Sequence, residues 1–120
     1  MDKSQKSKPF YLEERTLRYT KDVIALINKT SKNLSNIEIA KQLIRAAGSV
    51  GANYIEANES LDKTDFMMHA RIARKEAKER RYGLELLDGG DVLQTTRNNL
   101  IQEATELLKI LSTIIEKSSQ

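Results

Sequence analysis

The chain contains no cysteine. Disulfides, thiolate metal sites and a cysteine nucleophile are therefore excluded. It has a single histidine, His69, so most zinc sites and the usual catalytic triads lack a required member. Tryptophan is absent and aromatics are 5% of residues, which leaves little material for stacking on nucleic-acid bases. Pro9 is the only proline, so no later segment is forced to break a helix. No apolar run approaches the roughly 18 residues of a membrane span, and no leader with a charged start and apolar middle is present. A soluble cytoplasmic protein is the expectation. No glycine-rich loop ends in Lys-Ser or Lys-Thr, and no serine sits in a nucleophile elbow.

What is present is one domain's worth of helix. The 120 residues are 31% charged and 39% hydrophobic. A chain of that size buries roughly two-thirds of its unfolded surface in a single core. Residues 1–9, rich in Lys and Ser and closed by Pro9, read as a flexible basic tail, with the domain over 10–120. Four amphipathic segments follow, none with the alternation of a half-buried strand. In the first, from about Leu12 to Lys29, the residues Leu12, Thr16, Tyr19, Val23, Leu26 and Thr30 share one face. The second has a capping box in Ser35 and Glu38, a Leu34–Ile39 staple, and the stripe Ala40, Leu43, Ala47, Val50, Tyr54, Ala57. The third has Asp62 as cap, a Leu61–Phe66 staple, and the stripe Phe66, Ala70, Ala73, Ala77, Leu84, Leu87. Asp88-Gly89-Gly90-Asp91 stops it. In the fourth, clear from Leu100 to Lys117, Ile101, Ala104, Leu108, Leu111 and Ile115 align, and Asp91, Thr95 and Thr96 are the alternative caps. Short loops make successive helices antiparallel, so the fold class is all-α, an up-down four-helix bundle.

Some apolar residues exceed what these stripes need. Helix 4 adds Leu100, Leu107, Ile110 and Ile114, and helix 1 adds Leu17 and Ile24. Apolar residues at helical spacing on two helices point to a second buried interface, and hence to an oligomer. Leu17, Ile24, Leu107, Ile110 and Ile114 are its candidate residues.

The net charge of +3 is small, but its distribution is uneven. At about 100° per residue, Arg71, Arg74, Lys75, Lys78 and Arg81 occupy one arc of about 120° on helix 3, beside its apolar stripe. Glu76 and Glu79 fall on the other flank. Such segregation of sign is what a phosphate-binding face shows. Tyr82 is the one aromatic near it. Carboxylates are paired on helices 2 and 3, but the Glu-x-x-His motif of di-iron bundles is missing. His69 and Glu76, two turns apart, make a single weak metal candidate, so no metal, cofactor or catalytic residue is expected. Gly48-Ser49-Val50-Gly51 has the spacing of a KH backbone clamp but lies inside a helical pattern. There its small residues suit close approach of a neighbouring helix, since each glycine costs a helix about 1 kcal/mol against alanine.

The stretch from Leu43 to Ala57, Leu-Ile-Arg-Ala-Ala-Gly-Ser-Val-Gly-Ala-Asn-Tyr-Ile-Glu-Ala, resembles the signature of the four-helix-bundle proteins encoded by intervening sequences of bacterial 23S ribosomal RNA genes. Asp65-Phe66, the run Ile72 to Glu79 and Leu84-Glu85-Leu86-Leu87 extend the likeness into helix 3. Gly83 departs from it, standing after Tyr82 where the family often has tryptophan; its absence leaves space or admits another helix. The resemblance implies a ring-like homopentamer and no known enzymatic activity, with nucleic-acid binding the usual suggestion for a family of unsettled function. A related branch, the accessory proteins of diversity-generating retroelements, works with a reverse transcriptase and its RNA. The family-signature polar positions carried over are Arg45, Asn53, Glu56 and Glu76, with the basic positions Arg74, Lys75 and Lys78. Asn53 and Glu56 lie off the main stripe of helix 2, where a polar layer with helix 3 or at a subunit boundary would fix register rather than perform catalysis. The expected protein is a non-enzymatic oligomer binding RNA or DNA through helix 3. The alternative is an adaptor for a protein partner, such as a reverse transcriptase, through the surplus apolar surface.

Overall fold

A computed structural model describes residues 8–119, and among them there are four long helices and no strand. They are α1 (Lys8–Lys29), α2 (Leu34–Asn58), α3 (Lys63–Leu86) and α4 (Gln94–Ser118). The tail expected over 1–9 falls outside the described residues at positions 1–7, whereas Lys8 and Pro9 belong to α1. Proline is tolerated there because the first-turn N–H groups have no intrahelical partner in any case.

The helix ends differ from expectation where a neighbouring polar group competes better. Asn33, not Ser35, caps α2, its side chain accepting the Asn36 N–H at 2.9 Å. The capping box of Ser35 and Glu38 is consequently two residues too late. Asp62 does cap α3, accepting from the Asp65 N–H at 2.8 Å. Leu61 beside it is fully exposed and makes no staple. After α3 the chain turns through Gly90 at φ 74°, a region that favours glycine. A 3₁₀ turn, Asp91–Leu93, then feeds α4 directly, so none of Asp91, Thr95 or Thr96 caps it. The α3 end is held instead by Arg97, whose Nη1 donates to the carbonyls of Leu84 and Glu85.

The pairing of residues fixes the directions. Glu13, Thr16 and Thr20 of α1 meet Asn58, Gly51 and Ala47 of α2, numbers rising on one helix as they fall on the other. Asn53 with His69, Ala47 with Arg80 and Leu43 with Gly83 run α3 antiparallel to α2. Arg15 with Glu103 and Tyr19 with Leu100 do the same for α1 and α4. Around the bundle the order is α1, α2, α3, α4, with α1 diagonal to α3; the α1–α4 seam is the sparsest of the four.

All six stripe residues of α1 are buried, as are the stripes of the other helices apart from half-buried Ala40, Phe66 and Ile101. Leu100 and Leu107 are also core residues, Leu107 with no exposed surface. Leu107 is thus unavailable to a second chain; α4 needs the wider apolar arc because it packs against both α1 and α3. The two glycines of α2 separate in role. Gly51 faces α1, where a Cβ would sit 3.2 Å from Thr16 Oγ1, while Gly48 is exposed with nothing within 4 Å. Close packing inside the chain therefore explains only Gly51.

Candidate nucleic-acid interface

On α3 the alanines Ala70, Ala73 and Ala77 turn fully inward and place the basic residues along the edge shared with α4. Arg71, Lys75 and Lys78 are exposed, and Arg74 and Arg81 are half-buried. None of the five makes an ion pair or side-chain hydrogen bond among the described residues. A shallow groove of about 570 Å³ runs between α3 and α4, walled by Lys78 and Arg81 on one side and Lys109 on the other. Thr105, Ser112 and Thr113 supply hydroxyls along it, and no carboxylate lines it. Lys109 was not among the residues expected from the sequence. Its signal is its spacing: Thr105, Lys109, Ser112 and Thr113 share one polar face of α4.

The acidic flank of α3 faces the other way. Glu76 and Glu79 line a groove of about 450 Å³ between α2 and α3, together with Arg45 and Tyr82. Burial, reinforced by repulsion from Glu79, holds the Glu76 carboxyl above its ordinary pKa. Gly83 also lines this groove, and a Cβ there would lie 2.8 Å from Leu43 Cδ2. The missing side chain at 83 thus admits a neighbouring helix: Leu43 occupies the space.

Of the signature positions, Asn53 makes a polar contact across to α3. Its Nδ2 donates to Ser49 O at 3.0 Å, and its Oδ1 meets His69 Nδ1 at 3.1 Å. His69 Nε2 lies 3.5 Å from Asp65. The histidine is thereby engaged by Asn53 and Asp65 rather than paired with Glu76. Glu56 is exposed and takes no part in that layer. No group of three or more His, Asp or Glu residues is placed to hold a metal among the described residues.

Arg80 is the basic residue whose role the sequence reading missed. It has no exposed surface and lies 3.9 Å from the centroid of the Tyr19 ring. Its Nη1 donates to Ala47 O at 3.3 Å, whereas Nε and Nη2 have no partner. Burial depresses its pKa. Tyr19 donates its hydroxyl to Leu100 O at 2.8 Å, and burial pushes its phenol up to about 12. The pair joins all four helices at one level. The signal was spacing: Arg80 stands between Ala77 and Leu84, where the apolar stripe demands an inward residue. It does not contribute to the outer basic face.

No helix among the described residues is long and apolar enough to cross a membrane. The chain is similar to a crystal structure of a protein with unknown function from the S23 ribosomal protein family of Bacteroides thetaiotaomicron VPI-5482. The identity is 30%, the match covers 92% of this chain and 99% of that one, and the TM-score is 0.75. No curated protein matches the chain. The family model for the 23S rRNA-intervening sequence protein matches residues 12–113, which spans all four helices. With its bundle, its α2 and α3 motifs and that match together, the chain belongs to the 23S rRNA-intervening sequence protein family.

Proposed function

We propose that the protein is a non-enzymatic cytoplasmic oligomer, a ring of five by its family likeness, that binds the phosphate backbone of RNA or DNA through α3. The observation that supports this reading is the groove between α3 and α4: Lys78, Arg81 and Lys109 border it, hydroxyls line it, and carboxylates are absent from it. Arg71, Arg74 and Lys75 continue the positive face along about 15 Å of helix. Cations along this face, of which Lys109 alone lies near a carboxylate, that of Glu106 at 3.9 Å, neutralise phosphates and release counterions. They carry no base readout, and Tyr82, the aromatic nearest them in sequence, lines the α2–α3 groove on the opposite flank, so sequence preference is weak. A ring repeats the face, so weak single contacts add through avidity.

The test is a titration of labelled single-stranded RNA and duplex DNA at low and moderate salt. Log affinity should fall with log salt at a slope of about 0.7–0.9 per phosphate contacted. Arg71 and Lys78 make no contacts that the fold needs, so replacing both by Glu should remove binding with helicity unchanged. Equal binding by that variant, or no binding by the parent at low salt, rejects the reading. The exposed apolar residues of α1 and α2 would then favour a protein-binding adaptor.

A further inference from the structure

Gly48 costs α2 about 1 kcal/mol of helix propensity, yet nothing in its own chain approaches it. It lies within a ridge. Ile37, Ile44 and Ile55 fall within about 20° of one another on α2, and Gly48 within about 40°. All three isoleucines are exposed. Gly51 and Asn58, which meet α1, border the same ridge. Across that seam α1 contributes Leu17 and Ile24, 56% and 36% exposed. The result is an apolar ridge made of two rows flanking the α1–α2 seam, with a gap in the α2 row where Gly48 lacks a side chain.

A complementary depression exists on an adjacent face of the bundle. Tyr11, Tyr54, Ile110 and Ile114 line an apolar groove of about 550 Å³ at the seam between α1 and α4, with Lys109 and Lys117 on its border. This seam is the sparsest of the four, which is why the groove is open. Residues 1–7 carry Lys3 and Lys6 against Asp2, a sign that the two border lysines repel. The ridge carries the sign they attract. At the level of Tyr11, where Glu13 meets Asn58, α2 presents exposed Ile55 flanked by exposed Glu56 and Glu59.

We propose that the occupant of the α1–α4 groove is the α1–α2 ridge of a second copy of this chain, standing beside the first with the same end up. Ile55 enters the groove, Glu59 meets Lys117, and a helix of the neighbour passes close over Gly48. This rests on the oligomer reading and specifies its two faces. Ridge and groove are different surfaces, so the contact is heterologous and closes into a ring when the rotation permits. The α1 corner is consumed by the contacts, and α3, diagonal to it, stays on the outside with its cations free, while Lys109 stands on the boundary between the two grooves.

The experiment is light scattering over a dilution series, with far-UV circular dichroism on each variant. The parent should show a mass of several chains. Gly48→Leu should keep or raise helicity, because its site is empty within the chain, and should lower the mass. Glu59→Lys and Lys117→Glu should each shift dissociation to about tenfold higher concentration, and the double variant should recover the parent's behaviour. A parent that is a monomer at all concentrations overturns the oligomer reading and the proposal together. An oligomer indifferent to Gly48→Leu and to both charge reversals keeps the reading and overturns the faces assigned here. A chain lacking residues 1–7 that loses assembly while the ridge variants keep it makes the chain's own terminus the occupant, which also overturns the proposal.

Discussion

Replacing Arg80 by methionine should leave the bundle at least as stable as the parent. In favour of the guanidinium stand the Tyr19 ring, worth about 2 kcal/mol when desolvated, and one long charged hydrogen bond to Ala47 O, worth about 1.5 kcal/mol. Against it stands the desolvation of a fully buried ion, several kcal/mol after relaxation, and two donor nitrogens, Nε and Nη2, without partners at about 1–3 kcal/mol each. The charge is therefore offset incompletely or just balanced. Methionine fills a similar volume without charge and keeps a sulfur contact with the ring worth about 0.3–1.5 kcal/mol. The expected change is a gain of about 0–2 kcal/mol, seen as an unchanged or raised midpoint in urea unfolding and a Tm rise of about 4 °C per kcal/mol. Arg80→Ala should instead lose about 2–4 kcal/mol, because the site empties. The order methionine, parent, alanine is the signature. A loss above about 2 kcal/mol for Arg80→Met would refute the reasoning, since the ion would then have a partner beyond Tyr19 and Ala47.

Tyr19 gives a pH test: with its folded pKa at about 12 and an unfolded value of about 10, its contribution is complete below pH 10 and is lost as pH climbs toward 12, by about 1.4 kcal/mol per unit. Tyr19→Phe should cost about 1 kcal/mol at pH 8 through the lost bond to Leu100 O, and denaturation at pH 10–12 should show that gap closing. Gly83→Ala places a methyl 2.8 Å from Leu43 Cδ2, so overpacking of about 1–3 kcal/mol should outweigh or cancel a helix gain of about 1 kcal/mol. In a double-mutant cycle with Leu43→Ala, a favourable coupling of at least about 1 kcal/mol should appear. Glu103→Gln removes one partner of the Arg15 fork, at 2.6 and 2.7 Å with each side chain about a quarter exposed, and should cost about 1 kcal/mol by thermal unfolding.

Helix periodicity made most of the core legible, because one buried face per helix is a strong constraint and chemistry beyond hydrophobicity hardly enters it. The six α1 stripe residues are all inside, Thr16 and Thr30 included. Their hydroxyls donate to carbonyls three residues back, which makes their burial cheap. Arg80 was missed because residue type argued against burial while position argued for it, and position prevailed once Tyr19 supplied a ring face. Helix starts were less legible. Asn33, Ser35, Asp91, Thr95 and Thr96 are all chemically able to cap, and the choice depends on where the chain enters the helix. The α3 cations were legible as a face, but Lys109 was not, since only the packing of α4 brings it alongside. Leu107 shows the reverse error: a residue off the expected stripe still points inward when its helix has two neighbours to satisfy.

Asn36 has a consequence for how the bundle opens. Almost fully buried, it donates to the carbonyls of Ser31 and Asp88, and its Oδ1 accepts the Asp88 N–H. One amide thus ties the α1–α2 connection to the segment that follows α3. The opposite end, where Tyr11 and Ile114 border an open groove, has no equivalent cross-link through a buried amide among the described residues. Free energy of local opening is therefore graded along the long axis, high at the tied end and low at the open one. An isolated subunit unzips from the open end, so backbone amides there exchange first. In the assembly proposed above, that same end would receive the neighbour's ridge, and subunit contact would be the clamp that the single chain lacks.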